Sequence, residues 1–259
     1  MSAVLQETLD ERGVARLTLN RPAVFNAFDE GLIAALTEAY TRLGAEPAVR
    51  VIVLGGAGKA FCAGADVQWM RRASEAPLEW NEQDAGRFAA MMAAIHDCPK
   101  PTLARVHGVA LGGGVGLVCA SDIAIAAPGA QLAVSEARLG LIPSVIAPYL
   151  VNAVGLRQAR RLGLTASRIG ADEALRIGLL HEVAEDLDAA EARWIGELLA
   201  CGPQAQGELK RLFSTLQAGP ITPESRGVTA KTIARVRLGD EAGEGLSAFL
   251  EKRAPGWMR

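Results

Sequence analysis

Apolar and polar side chains alternate from Val14 to Leu19, a period of two that predicts a half-buried strand. Asn20-Arg21-Pro22 ends it. From Asp29 the period lengthens: Leu32, Leu36, Ala39, Tyr40 and Leu43 form the stripe of an amphipathic helix. Val51 to Leu54 is continuously apolar, as suits a strand buried on both faces, and Gly55 to Gly58 breaks it. A helix is predicted over Leu78 to His96, stopped by Pro99 and Pro101. Thr102 to Val106, Asp122 to Ala126 and Gln131 to Val134 read as three more strands, the last two joined by a Pro128-Gly129 turn. Strands alternating with helices place the chain in the α/β class.

Past about residue 145 the strand pattern stops. Glu185 to Ala200, Gln204 to Leu216, Thr222 to Leu238 and Asp240 to Arg253 all read as helices. Thr222-Pro223-Glu224 is a strong helix start: a capping hydroxyl, a proline in the first turn, then an acid. The expected organisation is an α/β core over 1–195 and a helical region over 196–259 that packs on the core or on a neighbouring subunit. The longest uncharged run, Leu139 to Leu156, could span a membrane by count. Its Pro143, Pro148 and Asn152 favour a buried core segment instead.

A length of 259 residues, half of them apolar and 22% charged, excludes disordered and fibrous classes. With 27 basic and 29 acidic residues the net charge is −2, so no basic surplus points to nucleic acid. Cys62, Cys98, Cys119 and Cys201 form no paired motif, and no signal-like segment follows Met1 and Ser2. The expectation is a cytoplasmic protein with reduced thiols. Several catalytic motifs fail. A Walker loop ending at Lys59 needs glycine at Val53 and a hydroxyl at Ala60. Gly112 to Gly116 lacks dinucleotide-binding spacing, and neither a zinc-protease helix nor a serine-hydrolase elbow is present.

Two glycine-containing turns remain, Ala60 to Asp66 and Gly108 to Gly114. Each follows a predicted strand and leads into a helix. Small residues admit a ligand close to the backbone, and a helix start leaves N–H groups free. Two such turns side by side could aim two donors at one oxygen; close helix–strand packing would explain the glycines as well. Beyond them Glu136 ends a predicted strand in apolar surroundings. A carboxylate withdrawn from water can exchange protons near neutral pH, and it can equally be a paired structural group.

Taken in order, these segments resemble the crotonase superfamily, the enoyl-CoA hydratase/isomerase family, over nearly the whole chain. Asn20-Arg21-Pro22 with Asn26-Ala27 resembles its N-terminal signature. The two turns resemble its two oxyanion turns. Asp122-Ile123-Ala124, Leu139 to Pro143 and the tail Glu244 to Arg253 match as well. The resemblance implies a spiral of strand–strand–helix turns with a C-terminal helical trimerisation region, assembling as a homo-trimer or hexamer. It implies an acyl-CoA thioester substrate and no separate cofactor, metal, nucleic acid or membrane partner. The enolate oxygen would be held by the backbone N–H groups of Ala65 and Gly113, with Glu136 as catalytic carboxylate. Ala63, Gly64, Asp66 and Val67 would lie along the CoA, and Phe249 and Lys252 would reach a CoA from the tail.

Hydratases of the family carry a second glutamate where this chain has Gly116. Its isomerases manage with the one that matches Glu136. In contrast, Ser144 to Tyr149, Asp66 to Arg72 and Gly112 to Val118 resemble bacterial methylglutaconyl-CoA hydratases of leucine breakdown, which share the missing glutamate. Their substrate ends in a second carboxylate, for which Arg71 or Arg72 is a candidate if α-helical geometry turns it inward. The expectation is therefore a one-glutamate hydratase, with an isomerase as alternative. A non-catalytic RNA-binding module is disfavoured because Arg42 is the only basic residue over Asp29 to Ala45.

Overall fold

The computed structural model describes residues 3–216 and 219–258, so the chain ends and the 217–218 pair lie outside the described residues. Strands β1 (Leu5–Leu9) and β2 (Val14–Leu19) form an antiparallel hairpin. Helix α1 (Glu30–Ala45) follows, its N-terminus capped by Asp29, whose side chain accepts from the N–H of Leu32 at 2.8 Å. Strand β3 (Val51–Gly56) then adds parallel to β2. Helices α2 (Val67–Glu75) and α3 (Leu78–His96) lead to β4 (Thr102–Val106).

From here the chain winds between two sheets. Strand β4 lies in the large sheet, β5 (Val109–Leu111) in the small one, and α4 (Gly113–Ala120) carries the chain back. Strands β6 (Ile123–Ala126) and β7 (Gln131–Ala133) repeat the step, with a short 3₁₀ turn over Glu136–Leu139 in place of a full helix. This is the strand–strand–helix spiral that the sequence resemblance implied.

Helix α5 (Ala147–Thr165), β8 (Ile169–Gly170), α6 (Ala171–Arg176) and β9 (Glu182–Val183) complete the core. The sheets run β1-β2-β3-β4-β6-β9 and β5-β7-β8. Strands therefore continue past residue 145, against expectation. Each of the two late strands has only two residues, too few to show alternation. Helices α7 (Leu187–Ala200), α8 (Pro203–Thr215), α9 (Pro223–Arg237) and α10 (Asp240–Glu251) end the chain.

The boundary expected at 195 falls inside α7. That helix buries Leu187, Ala190 and Ile195 against Val51, Val53, Leu103 and Ile125, so it packs on the core as one element, and Lys210 of α8 reaches back to Asp122 at 2.6 Å. The run from Leu139 to Leu156 is also not uniformly buried. Ile146, Leu150 and Val154 enter the main core, whereas Leu139, Leu141 and Ile142 are exposed. Among the described residues no helix is long and apolar enough to cross a membrane. All four cysteines are free, and burial pushes Cys62 up to about 12.

Candidate active site

The two glycine turns lie against each other and are joined by main-chain hydrogen bonds. Phe61 donates to His107 at 2.9 Å, Cys62 to Val109 at 3.1 Å, and Leu111 back to Cys62 at 2.9 Å. A loop over residues 25–28 grips the first turn from its other side: Ala63 donates to Phe25, Phe28 to Gly64 and Asp66 to Phe28. Asn26 fixes that loop. Fully buried, its side chain accepts from the N–H of Arg21 at 2.9 Å and donates to Ala57 at 2.9 Å and Ala60 at 2.8 Å. Gly64 has φ of +89°, and a Cβ there would lie 2.7 Å from the carbonyl oxygen of Leu111. Only glycine suits both conditions.

These contacts leave the N–H of Ala65 without a backbone acceptor among the described residues. Gly113 is the first residue of α4, so its N–H is not used within the helix, and no other backbone group among the described residues takes it. Both residues line one cavity of about 330 Å³, within the range of small-ligand sites. The rings of Phe28 and Phe88 lie against Gly113, at 2.9 and 3.1 Å from where its Cβ would be, which excludes any larger residue there.

Glu136 lines the same cavity. It opens the 3₁₀ turn three residues after β7 rather than ending the strand as expected. Its Oε1 would meet a Cβ at Gly112 at 3.0 Å, one residue before the donor at Gly113. Its Oε2 is buried and has no hydrogen-bond partner among the described residues. Burial raises its pKa, and hydrogen bonds from its own backbone N–H and that of Ser135 oppose the rise without cancelling it.

Two free donors and one proton-hungry carboxylate thus face one apolar cavity. A family model for enoyl-CoA hydratase/isomerase matches residues 10–259. The chain belongs to the enoyl-CoA hydratase/isomerase family. It is 42% identical to an enoyl-CoA hydratase from Shewanella pealeana of known structure, with a TM-score of 0.95 over 98% of this chain and 96% of that one. It is 35% identical to the "Probable enoyl-CoA hydratase" of Rhodobacter capsulatus over 94% of this chain and 93% of that protein. It is also 31% identical to the 1,2-epoxyphenylacetyl-CoA isomerase of Escherichia coli, over 95% of both. Family membership therefore covers both hydration and isomerisation.

The other candidate residues fall in different places. Ala63 and Gly64 line the cavity. Asp66 does not offer a free carboxylate. It caps α2 by accepting from Gln68 at 2.8 Å and pairs with Arg21 at 3.0 Å, and these contacts lower its pKa despite its burial. Val67 is exposed at the start of α2. Phe249 and Lys252 lie at the end of α10, outside this cavity.

Arg71 and Arg72 do not turn inward. The first is 75% exposed and pairs with Glu75; the second is 54% exposed and pairs with Glu30. Neither lines the cavity, because the face of α2 that packs inward carries Trp69. Sequence reasoning missed Trp69, Asn81 and Asp84 as cavity residues. Asp84 is only 5% exposed and accepts from Arg87 at 2.7 Å. Asp84 shares the buried stripe of α3 with Met91, Met92 and Ile95, and an aspartate on an otherwise apolar stripe is the signal that could have found it.

The site of the missing glutamate is closed. A Cβ at Gly116 would lie 2.4 Å from Cγ2 of Ile146 and 3.1 Å from Cε of Met92. Position 116 therefore lacks space for a side chain as well as a carboxylate.

Proposed function

We propose that this protein hydrates a short branched 2-enoyl-CoA, with 3-methylglutaconyl-CoA as substrate. The observation that carries this reading is the unpartnered carboxylate oxygen of Glu136 beside two free backbone donors in one cavity. The thioester oxygen accepts from the N–H groups of Ala65 and Gly113. Glu136 takes a proton from water as the water oxygen bonds to C3 and the C2=C3 electron pair moves into the enolate. The same carboxyl then gives that proton to C2, so one water is added and Glu136 returns to its starting state. A raised pKa brings the acid and base forms of one group closer together in free energy near neutrality. Each oxyanion donor is worth about 3–4 kcal/mol of barrier.

The subgroup choice rests on sequence resemblance in the segments around Trp69, Gly113 and Ser144. We further propose a cytoplasmic homo-trimer or hexamer in which Phe249 and Lys252 reach a neighbour's CoA, with no cofactor beyond the CoA of the substrate. The exposed Leu246, Phe249 and Leu250 on α10 support an assembly role for that helix.

The second reading is an isomerase in which Glu136 moves one proton between carbons. The closed site at Gly116 favours it, since no second carboxylate there holds a water. Mass spectrometry with 3-methylglutaconyl-CoA, crotonyl-CoA and a 3-enoyl-CoA separates the two. We expect gain of one water on the first substrate, lost in Glu136→Gln. A shifted double bond in the 3-enoyl-CoA with no water gained would decide for the isomerase.

A further inference from the structure

Two side-chain polar atoms in the cavity wall are buried with no partner among the described residues: Oε2 of Glu136 and the indole N–H of Trp69. Proton transfer accounts for the first, and nothing in the reaction uses the second. Trp69 is the third residue of α2, four beyond the donor at Ala65, and it is 8% exposed. Its ring meets Phe88 edge-on at 6.3 Å, and Phe88 in turn abuts Gly113. The tryptophan is therefore held in place beside the oxyanion donors. An indole nitrogen only donates, so an acceptor alone can satisfy it. Buried donors in native proteins are rarely left unpaired, because an orphan is costly.

We infer that Trp69 sets acyl specificity, its indole N–H donating to an oxygen carried on the acyl chain of the substrate. A hydrocarbon chain would seal the donor from water and leave it unpaired. A site built to hydrogen-bond a group discriminates strongly against the analogue that lacks it. The inference rests on the hydratase reading above and supplies the tail recognition that Arg71 and Arg72, both turned to solvent, do not. The carboxylate of Asp84 on the same wall is offset by Arg87 at 2.7 Å, so an acidic tail does not meet an uncompensated charge.

The test compares kcat/KM for 3-methylglutaconyl-CoA with that for 3-methylcrotonyl-CoA, which differs by the tail carboxylate alone. In Trp69→Phe the preference for the carboxylated substrate should fall about ten- to a hundred-fold, the value of one hydrogen bond to a charged group. An unchanged preference would overturn the inference. A second readout is independent of turnover and of that variant's folding. The chain has four tryptophans, so ¹⁵N-tryptophan labelling gives four indole signals, assigned by replacing Trp80, Trp194 and Trp257 in turn with phenylalanine. The remaining signal should move downfield with glutaryl-CoA and not with butyryl-CoA. Equal movement with both overturns the role of Trp69. Absence of hydration of any 2-enoyl-CoA, with the selective shift present, would instead sink the hydratase reading alone.

Discussion

Gly116 lies inside α4, where replacing glycine by alanine ordinarily gains about 1 kcal/mol of helix propensity. Here the added Cβ would lie 2.4 Å from Cγ2 of Ile146. Carbon atoms at rest sit about 3.5–4.0 Å apart, so this contact is short by more than an ångström. Ile146 has little room to retreat, being 1% exposed and part of the main core at the entrance to α5. Overpacking costs about 1–3 kcal/mol, and a clash on a stiff β-branched stem belongs at the upper end. Subtracting the propensity gain leaves Gly116→Ala destabilised by about 2 kcal/mol, a fall in Tm of about 4–8 °C. Ile146→Ala deletes the clashing methyl and by itself costs about 2–5 kcal/mol. Scanning calorimetry of both single variants and the double variant should show a coupling of at least about 1 kcal/mol, with the double less damaged than the sum. A rise in Tm for Gly116→Ala would refute the reasoning: Ile146 would then yield easily, and packing would not explain the absent side chain.

Three further outcomes are expected. Because burial raises the pKa of Glu136 in the folded state, the fold binds that proton more tightly than the unfolded chain does. Its stabilising contribution is full below the unfolded carboxyl value and is lost as pH rises through the higher folded one. Glu136→Gln should therefore melt higher than the wild type at pH 8 and lose that advantage near pH 4, while its turnover drops about 10²–10⁴-fold; melting curves across pH check the first and steady-state rates the second. Gly64→Ala should lower kcat about 10²–10³-fold by displacing the donor at Ala65, as φ of +89° and the Leu111 carbonyl leave no place for the methyl; unchanged kcat in a folded variant would count against the assigned donor. Arg71→Gln and Arg72→Gln should each leave KM for a carboxylated substrate within about twofold, in line with the small worth of exposed ion pairs, and a larger rise would return the arginines to the site.

Much of the spiral was legible because β3, β4 and β6 are buried along most of their length and α1 and α3 are striped, whereas the largely exposed β1 and the three-residue β5 gave no readable pattern. Helix α3 runs from Leu78 to His96 as the pattern predicts, since Pro77 precedes it and Pro99 follows. The two glycine turns were legible as a pair, because a turn that must admit a neighbouring backbone spends small residues on it. Strands β8 and β9 were not, having no room for a period. The exposure of Leu139, Leu141 and Ile142 was hidden too, because apolar residues that rim a cavity read like core. Trp69 and Asp84 sit on helical stripes whose neighbours are decided by how α2 and α3 lie across the turns. Sequence distance says nothing of that, and the outward aim of Arg71 and Arg72 was settled by the same packing.

The stitching of the two turns uses main-chain groups of Phe61, Cys62, His107, Val109 and Leu111, with the His107 ring adding a contact of 3.0 Å to the carbonyl oxygen of Gly58. The spacing of the two free backbone N–H groups is thus written in the main chain, and the carboxylate proposed to move the proton is a side chain grafted beside it. In the proposed reaction, a change of the acid at 136 would alter which bond is made or moved while the pair of N–H groups keeps its spacing. The same separation makes the scaffold a natural starting point for new thioester chemistry. A designer can exchange the acid, its place and the shape of the wall, provided the glycines of the seam stay as they are.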